Sequence, residues 1–193
     1  MEKKFNIVLL GAPGSGKGTQ AQKITEKYGL KHVSTGELFR KEISLQNELG
    51  LKAQSYIDRG ELCPDILTIE MLHHYLDLFP EAKGYILDGV PRTIKQAQLL
   101  DGVGYPKNIP VDLIIYLSVN QLEIVARMIK RAEIEKRSDD TPEVIKNRIN
   151  NYFAQTKPLE SYYQKSKIYK VNGMNDAETV FTDICHIIDQ FIK

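Results

Sequence analysis

Cysteine is scarce in this chain. Cys63 and Cys185 are the only two in 193 residues, and they lie far apart. No C-x-x-C pair is available for zinc and no disulfide framework can be drawn, so the expectation is a reduced, cytosolic-type protein without structural zinc. Long apolar runs are also missing. No stretch approaches the ~20 residues that a bilayer-spanning helix needs, so no membrane partner is expected. Met1–Lys4 followed by Phe5–Leu10 imitates the start of a signal peptide, but the apolar part is too short and runs straight into a glycine-rich segment. An excess of charge is absent as well: 26 basic residues face 25 acidic ones. A near-neutral chain carries no global footprint for nucleic acid or an anionic surface, so its arginines must act locally. There is no internal repeat and no low-complexity segment. The length suits one well-buried core, and residues 1–193 are read as a single domain.

What is present begins at residue 11. Gly11-Ala12-Pro13-Gly14-Ser15-Gly16-Lys17-Gly18-Thr19 follows the apolar run Phe5–Leu10 and precedes a helical pattern. Strand, glycine-rich turn and helix form the context that a phosphate-binding loop requires. Glycines let successive backbone N–H groups converge on phosphate oxygens, and the helix aims its positive end at the same point. Lys17 adds a cation for the outer phosphates. The general pattern wants Ser or Thr directly after the lysine, yet Gly18 intervenes before Thr19. That ending resembles nucleoside monophosphate kinases more than switch GTPases or motor ATPases.

Five short apolar runs read as strands: Phe5–Leu10, Lys31–Val33, Tyr85–Asp88, Leu113–Ser118 and Ile168–Val171. Helical patterns separate them, which predicts an α/β fold with a parallel sheet covered on both faces. Thr35–Asn47, Glu48–Arg59 and Pro64–Phe79 form a helical block longer than one crossover needs, so part of it is expected to stand off the sheet. Thr93–Leu100, Gln121–Lys136, Pro142–Lys165 and Asp176–Ile192 are the remaining predicted helices. Asp101–Pro106 reads as a surface loop.

Asp88 closes a strand, where a carboxylate either makes a turn or holds Mg²⁺ through water beside nucleotide phosphates. Its sequel, Gly89-Val90-Pro91-Arg92-Thr93-x-x-Gln96, combines a close backbone approach, a stiffened turn and a guanidinium at a helix start. Arg127 and Arg131 share a helix face, Arg137 follows in the segment Ala132–Asp140, expected to be exposed, and Arg148 sits one helix later. By themselves these four read equally as a salt-bridged, solvated face. His32, His73, His74 and His186 read as surface or packing residues.

Together these segments resemble the adenylate kinase family, short-lid type, over almost the whole chain. The resemblance implies a P-loop three-layer fold with a five-stranded parallel sheet, a helical NMP-binding insertion at residues 34–63 and a short lid at 131–141. It implies ATP binding by Gly14, Ser15, Gly16, Lys17, Gly18, Thr19, Arg127, Arg131 and Asn175. Ser34-Thr35-Gly36-Glu37-Leu38-Phe39-Arg40 matches the family's Ser-Thr-Gly-Asp-x-x-Arg. AMP would be held by Thr35, Gly36 and Arg40, by the turn Glu61, Leu62 and Cys63, and by Gly89, Val90, Pro91, Arg92 and Gln96, with Arg137 and Arg148. Lys17, Arg127, Arg131, Arg137 and Arg148 would be catalytic, and Asp88 would hold Mg²⁺ through water. Asp139 and Asp140 match the flank of the lid. Glu37 stands where the family usually has Asp, and Val90 where it usually has an aromatic residue.

The implied activity is reversible, Mg²⁺-dependent transfer of the ATP terminal phosphoryl group to AMP, giving two ADP. ATP, AMP and ADP would be the partners of a cytoplasmic monomer. A UMP/CMP kinase is the nearer rival; Thr35, where that family more often has alanine, and Thr93-x-x-Gln96 stand against it. A nucleotide switch of the GTPase class is the more distant one. Asp101-x-x-Gly104 formally matches one of its motifs, but no Asn-Lys-x-Asp guanine-reading motif exists in the chain.

Overall fold

Continuous rather than alternating apolar runs mark strands buried on both faces, and the three central strands of the sheet fit that rule, while the two edge strands are only partly buried. The computed structural model describes residues 4–104, 107–135, 140–163 and 168–192. Strands β1 (Ile7–Gly11), β2 (Lys31–Ser34), β3 (Tyr85–Asp88), β4 (Leu113–Ser118) and β5 (Ile168–Asn172) form one sheet in the order β2-β3-β1-β4-β5. Every pairing is parallel; Leu9 of β1 stands level with Asp88 on one side and Ile115 on the other. The helices are α1 (Lys17–Tyr28), α2 (Thr35–Ser44), α3 (Glu48–Asp58), α4 (Asp65–Asp77), α5 (Ile94–Leu100), α6 (Gln121–Glu135), α7 (Pro142–Asn151), α8 (Leu159–Tyr162) and α9 (Ala177–Ile188).

The twofold period of β1 sends its side chains into two cores. Ile7 and Leu9 pack with Ala21 and Ile24 of α1 and with Val180, Ile184 and Ile188 of α9. Val8 and Leu10 face the larger cluster, which takes in Leu38 and Phe39 of α2, Leu72 of α4 and Leu99 of α5. A third, smaller cluster joins Ile124 and Met128 of α6 to Ile145, Ile149 and Tyr152, with Ala12 beneath.

Caps set the helix starts. Ser34, Asn47, Thr93 and Thr141 each accept a backbone N–H three residues on, a contribution of about 1 kcal/mol apiece. Helix α2 stops at Ser44, short of the expected Asn47, because Asn47 turns outward to cap α3. The expected helix Pro142–Lys165 is interrupted. After α7 the chain takes one π-helical turn, Tyr152–Thr156, where the Lys157 N–H donates to the Tyr152 carbonyl at 2.8 Å. Pro158 lacks an N–H and crowds the preceding turn, so the helix restarts as α8. Residues 164 and 165 of that prediction lie outside the described residues. So do Lys136, which ended the helix expected after β4, and Tyr105 and Pro106 of the expected surface loop. Strand β1 begins at Ile7, two residues later than expected, and α9 ends at Ile188, four residues earlier.

Candidate active site

The loops leaving the carboxyl ends of the strands surround one cleft of about 1010 Å³. Its floor is the turn between β1 and α1. Gly16 takes the left-handed conformation (φ 94°) that starts α1, and the first turn of α1 carries no acidic side chain. Free backbone N–H groups and the positive helix end are therefore presented to an anion. Gly14, Ser15, Gly16, Lys17, Gly18 and Thr19 all line the cleft.

The Lys17 ammonium folds back on its own loop, donating to the carbonyls of Gly11 at 3.0 Å and Ala12 at 2.9 Å. Burial pushes its pKa down to about 8. Asp88 opposes that fall, while Arg92, Arg148 and Arg131 add to it. A cation whose neighbours are mostly cations is stabilised by any anion that enters.

Asp88 sits buried at the end of β3, on the cleft wall. Burial alone would raise its pKa, but contact with His32 and the charges of Lys17 and Arg92 outweigh it and hold the carboxyl below its ordinary range. His32 Nε2 lies 3.6 Å from Asp88 Oδ2. His32, expected as a surface or packing residue, is half-buried and borders the cleft beside Asp88.

Arginines face this floor from α6 and α7. Arg127, Arg131 and Arg148 line the cleft. Arg127 Nε donates to Glu123 at 2.7 Å, one turn away. Arg131 donates twice to Asp140, at 2.7 and 2.8 Å, and Arg148 donates to the same carboxylate at 2.7 Å. Asp140, whose side chain is 0% exposed, thus pins two guanidinium groups by charge-assisted bonds. The segment Ala132–Asp140 is not uniformly exposed as expected. Glu133–Glu135, at the end of α6, are exposed as expected, but Asp140 is buried. Arg137 and Asp139 lie outside the described residues.

A smaller cavity of about 60 Å³ adjoins the cleft and shares Gly36, Arg40, Leu62, Gly89, Arg92 and Arg148 with it. Thr35, Glu61, Cys63 and Gln96 line the smaller cavity alone. Gly89 (φ +80°) lets the chain turn sharply, and its carbonyl accepts from Thr35 Oγ1 at 2.9 Å and Arg92 Nε at 2.8 Å. Gln96 Oε1 accepts the Arg92 N–H at 2.7 Å, and the Arg92 carbonyl accepts from Thr156 Oγ1 at 2.8 Å. Arg92 is therefore fixed from both ends of its backbone. Burial raises the Cys63 thiol to about 11, so it stays protonated. Val90 lines neither cavity and packs in the larger core, while Gly89 and Pro91 beside it border the cleft. Asn175 borders the cleft from the exposed turn after β5.

Sequence reasoning did not select Phe39, Ile57, Thr156 or Asn151, which are among the residues that line the two cavities. Phe39 stands one helical turn beyond Thr35, so the spacing alone could have placed the two on one face. Nothing in the local sequence marked Asn151 or Thr156, because their partners Gly60 and Arg92 are remote in the chain. Among the described residues, no group of three or more His, Cys, Asp or Glu side chains is placed to hold a metal, and no helix is long and apolar enough to cross a membrane.

Chemically, the arrangement offers an anion cradle, a second pocket beside it and a set of fixed cations around the junction. A family model described as adenylate kinase matches residues 9–168. The adenylate kinase of Bacteroides thetaiotaomicron is 45% identical over 187 residues, covering 96% of this chain and 99% of the relative. That of Azobacteroides pseudotrichonymphae is 44% identical over 190 residues, covering 98% of this chain and all of the relative. The Porphyromonas gingivalis adenylate kinase is 38% identical, with 98% of each chain covered.

Proposed function

The chain belongs to the adenylate kinase family, and from that premise we propose how its own residues carry the family's reaction. The reaction is the reversible transfer of the terminal phosphoryl group of ATP to AMP, giving two ADP. The bond from the γ-phosphorus to the bridging oxygen breaks, and a bond to an α-phosphate oxygen of AMP forms. That oxygen is already anionic, so no general base is required. One observation carries the assignment: Lys17, Arg92, Arg127, Arg131 and Arg148 border the cleft, and Arg92 and Arg148 border the smaller pocket too. In a loose, in-line transfer the charge spreads over equatorial oxygens, and catalysis comes from positioning and fixed cations.

In this reading Gly14–Thr19 cradle the ATP phosphates, and Lys17 leaves its loop carbonyls for the transferring group. Arg127 and Asn175 lie over the adenine side of ATP. Thr35, Gly36, Arg40, Glu61, Leu62, Cys63, Gly89, Pro91, Arg92 and Gln96 form the AMP pocket, whereas Val90, expected among them, packs in the larger core and lines neither cavity. Gln96 Oε1 already accepts from Arg92, so its second lone pair and its Nε2 donor remain to meet the adenine edge. Residues 34–63 act as the AMP-binding lobe and 131–141, with Arg137, as the lid. Both close to exclude water, which would otherwise compete with AMP.

The buried, ionised Asp88 carboxylate beside Lys17 suits a water-mediated hold on Mg²⁺ accompanying ATP. Bound there, the ion would neutralise phosphate charge. The two free thiols are both buried, in keeping with a cytoplasmic protein, and we take it to act as a monomer without a nucleic-acid or membrane partner. An assay offering ATP with AMP, UMP, CMP or GMP separately tests the acceptor. AMP is expected to be used best; preference for UMP or CMP would move the chain to the pyrimidine-specific kinases.

A further inference from the structure

Asn147 and Asn151 lie one turn apart on α7 and so share a helix face. Their Nδ2 atoms donate to successive carbonyls just beyond α3: Asn147 to Arg59 at 3.1 Å, and Asn151 to Gly60 at 2.9 Å. These carbonyls stand past the last helical turn, where side chains commonly supply the missing donors. The turn is also pressed closely on α7. A Cβ placed on Gly60 would stand 2.8 Å from the Val144 carbonyl and 3.1 Å from Arg148 Cγ. Glu61, Leu62 and Cys63 follow directly and line the smaller pocket, and Arg148 lies on α7 between the two asparagines.

Resting on the assignment of that pocket to AMP, we propose that Asn147 and Asn151 are positioning residues that clamp the base-lining turn against the helix carrying Arg148. One end of AMP would meet the turn and the other the guanidinium, so the distance between them must suit the nucleotide. Asn147 is exposed and borders neither cavity, so it acts through the turn and not on the substrate. Without the clamp, the turn samples positions in which its backbone no longer stands opposite Arg148. The apparent KM for AMP then rises as the competent fraction falls.

The experiment uses the full chain, with Asn147→Ala, Asn147→Asp and Asn151→Asp made separately. AMP and ATP are varied in turn, and Tm is measured alongside. Aspartate keeps the size of asparagine but cannot donate, which separates the hydrogen bond from packing. In each variant the KM for AMP is expected to rise about fivefold, the scale of one net hydrogen bond, while the KM for ATP stays within about twofold of wild type. The exposed Asn147 variants supply the reading even if Asn151→Asp folds poorly. A lowered Tm with an unchanged KM for AMP would mean a purely structural role and would overturn the proposal. So would a rise in the alanine variant that the aspartate variants do not share. A wild type that fails to phosphorylate AMP sinks the pocket assignment and this inference together. Normal use of AMP with unchanged variants overturns the clamp alone.

Discussion

Lys17 is held by the carbonyls of Gly11 and Ala12, and in the proposed reaction incoming phosphates displace it from them. Its pKa of about 8 in the nucleotide-free protein places its titration within reach of an ordinary pH profile. The kcat/KM for ATP, which reports the free enzyme, is expected to fall as pH rises through about 8. In kcat the same limb should move to higher pH, because bound phosphates favour the charged amine. The stability effect has the opposite sense. Between about pH 8 and the ordinary 10.5 the unfolded chain holds a proton that the folded chain has lost, so this group favours folding increasingly as pH rises through that window. Denaturant titrations across the window check the sign. Lys17→Met keeps the length but not the charge, and is expected to lower turnover on the order of 10²–10³-fold with little change in Tm; a variant retaining a tenth of the rate would remove Lys17 from its assigned role. Lys17 and Asp88 were legible in the sequence because each belongs to a contiguous motif. His32 was not: its meaning comes from the parallel pairing of β2 with β3, which sets Ser34 level with Asp88 and brings the imidazole to that carboxylate.

Among the elements, the turn after β3 borders both pockets, through Gly89 and Arg92. A Cβ on Gly89 would meet Thr35 Oγ1 at 2.8 Å and Arg92 Nη2 at 2.9 Å, at a φ of +80°. Gly89→Ala is therefore expected to cost about 1–2 kcal/mol from the backbone conformation alone, and to impair AMP use more than ATP binding by displacing Arg92. Calorimetry beside separate titrations of the two nucleotides would show both effects; an unchanged AMP response would mean that the turn yields without moving the guanidinium. The strands and most helices could be read from apolar period and caps. The break after α7 could not, although its cause was in view at Pro158. A proline predicts a helix boundary, but not that the preceding turn absorbs one extra residue as a π turn. That turn sets Thr156 against the Arg92 carbonyl, a contact no local pattern could announce.

At the scale of the whole molecule, the parallel order β2-β3-β1-β4-β5 brings the strand-end loops of the site to one end of the sheet. The fold class was legible from alternating strands and helices, because that alternation leaves few topologies open. The meeting of α3 with α7 was not, being a contact between residues about ninety positions apart. Since the proposed metal arrives with ATP, adding a chelator to the nucleotide-free protein is expected to leave Tm unchanged while abolishing turnover; a large fall in Tm would reveal a structural metal. The three cores differ in extent, and that difference has a kinetic consequence. Ile124, Met128, Ile145, Ile149 and Tyr152, with Ala12, make a small island apart from the two clusters that sandwich the sheet. Regions with fewer apolar contacts open at lower free energy than the core. Amide hydrogen exchange of α6 and α7 is therefore expected to outpace that of β1 and β4 under native conditions. Arg127, Arg131 and Arg148 all ride on those two helices, so three of the cations proposed to meet the nucleotides are mounted on the smallest of the three cores. Under the proposed assignment, opening of that unit would loosen three cationic contacts to the ADP products together.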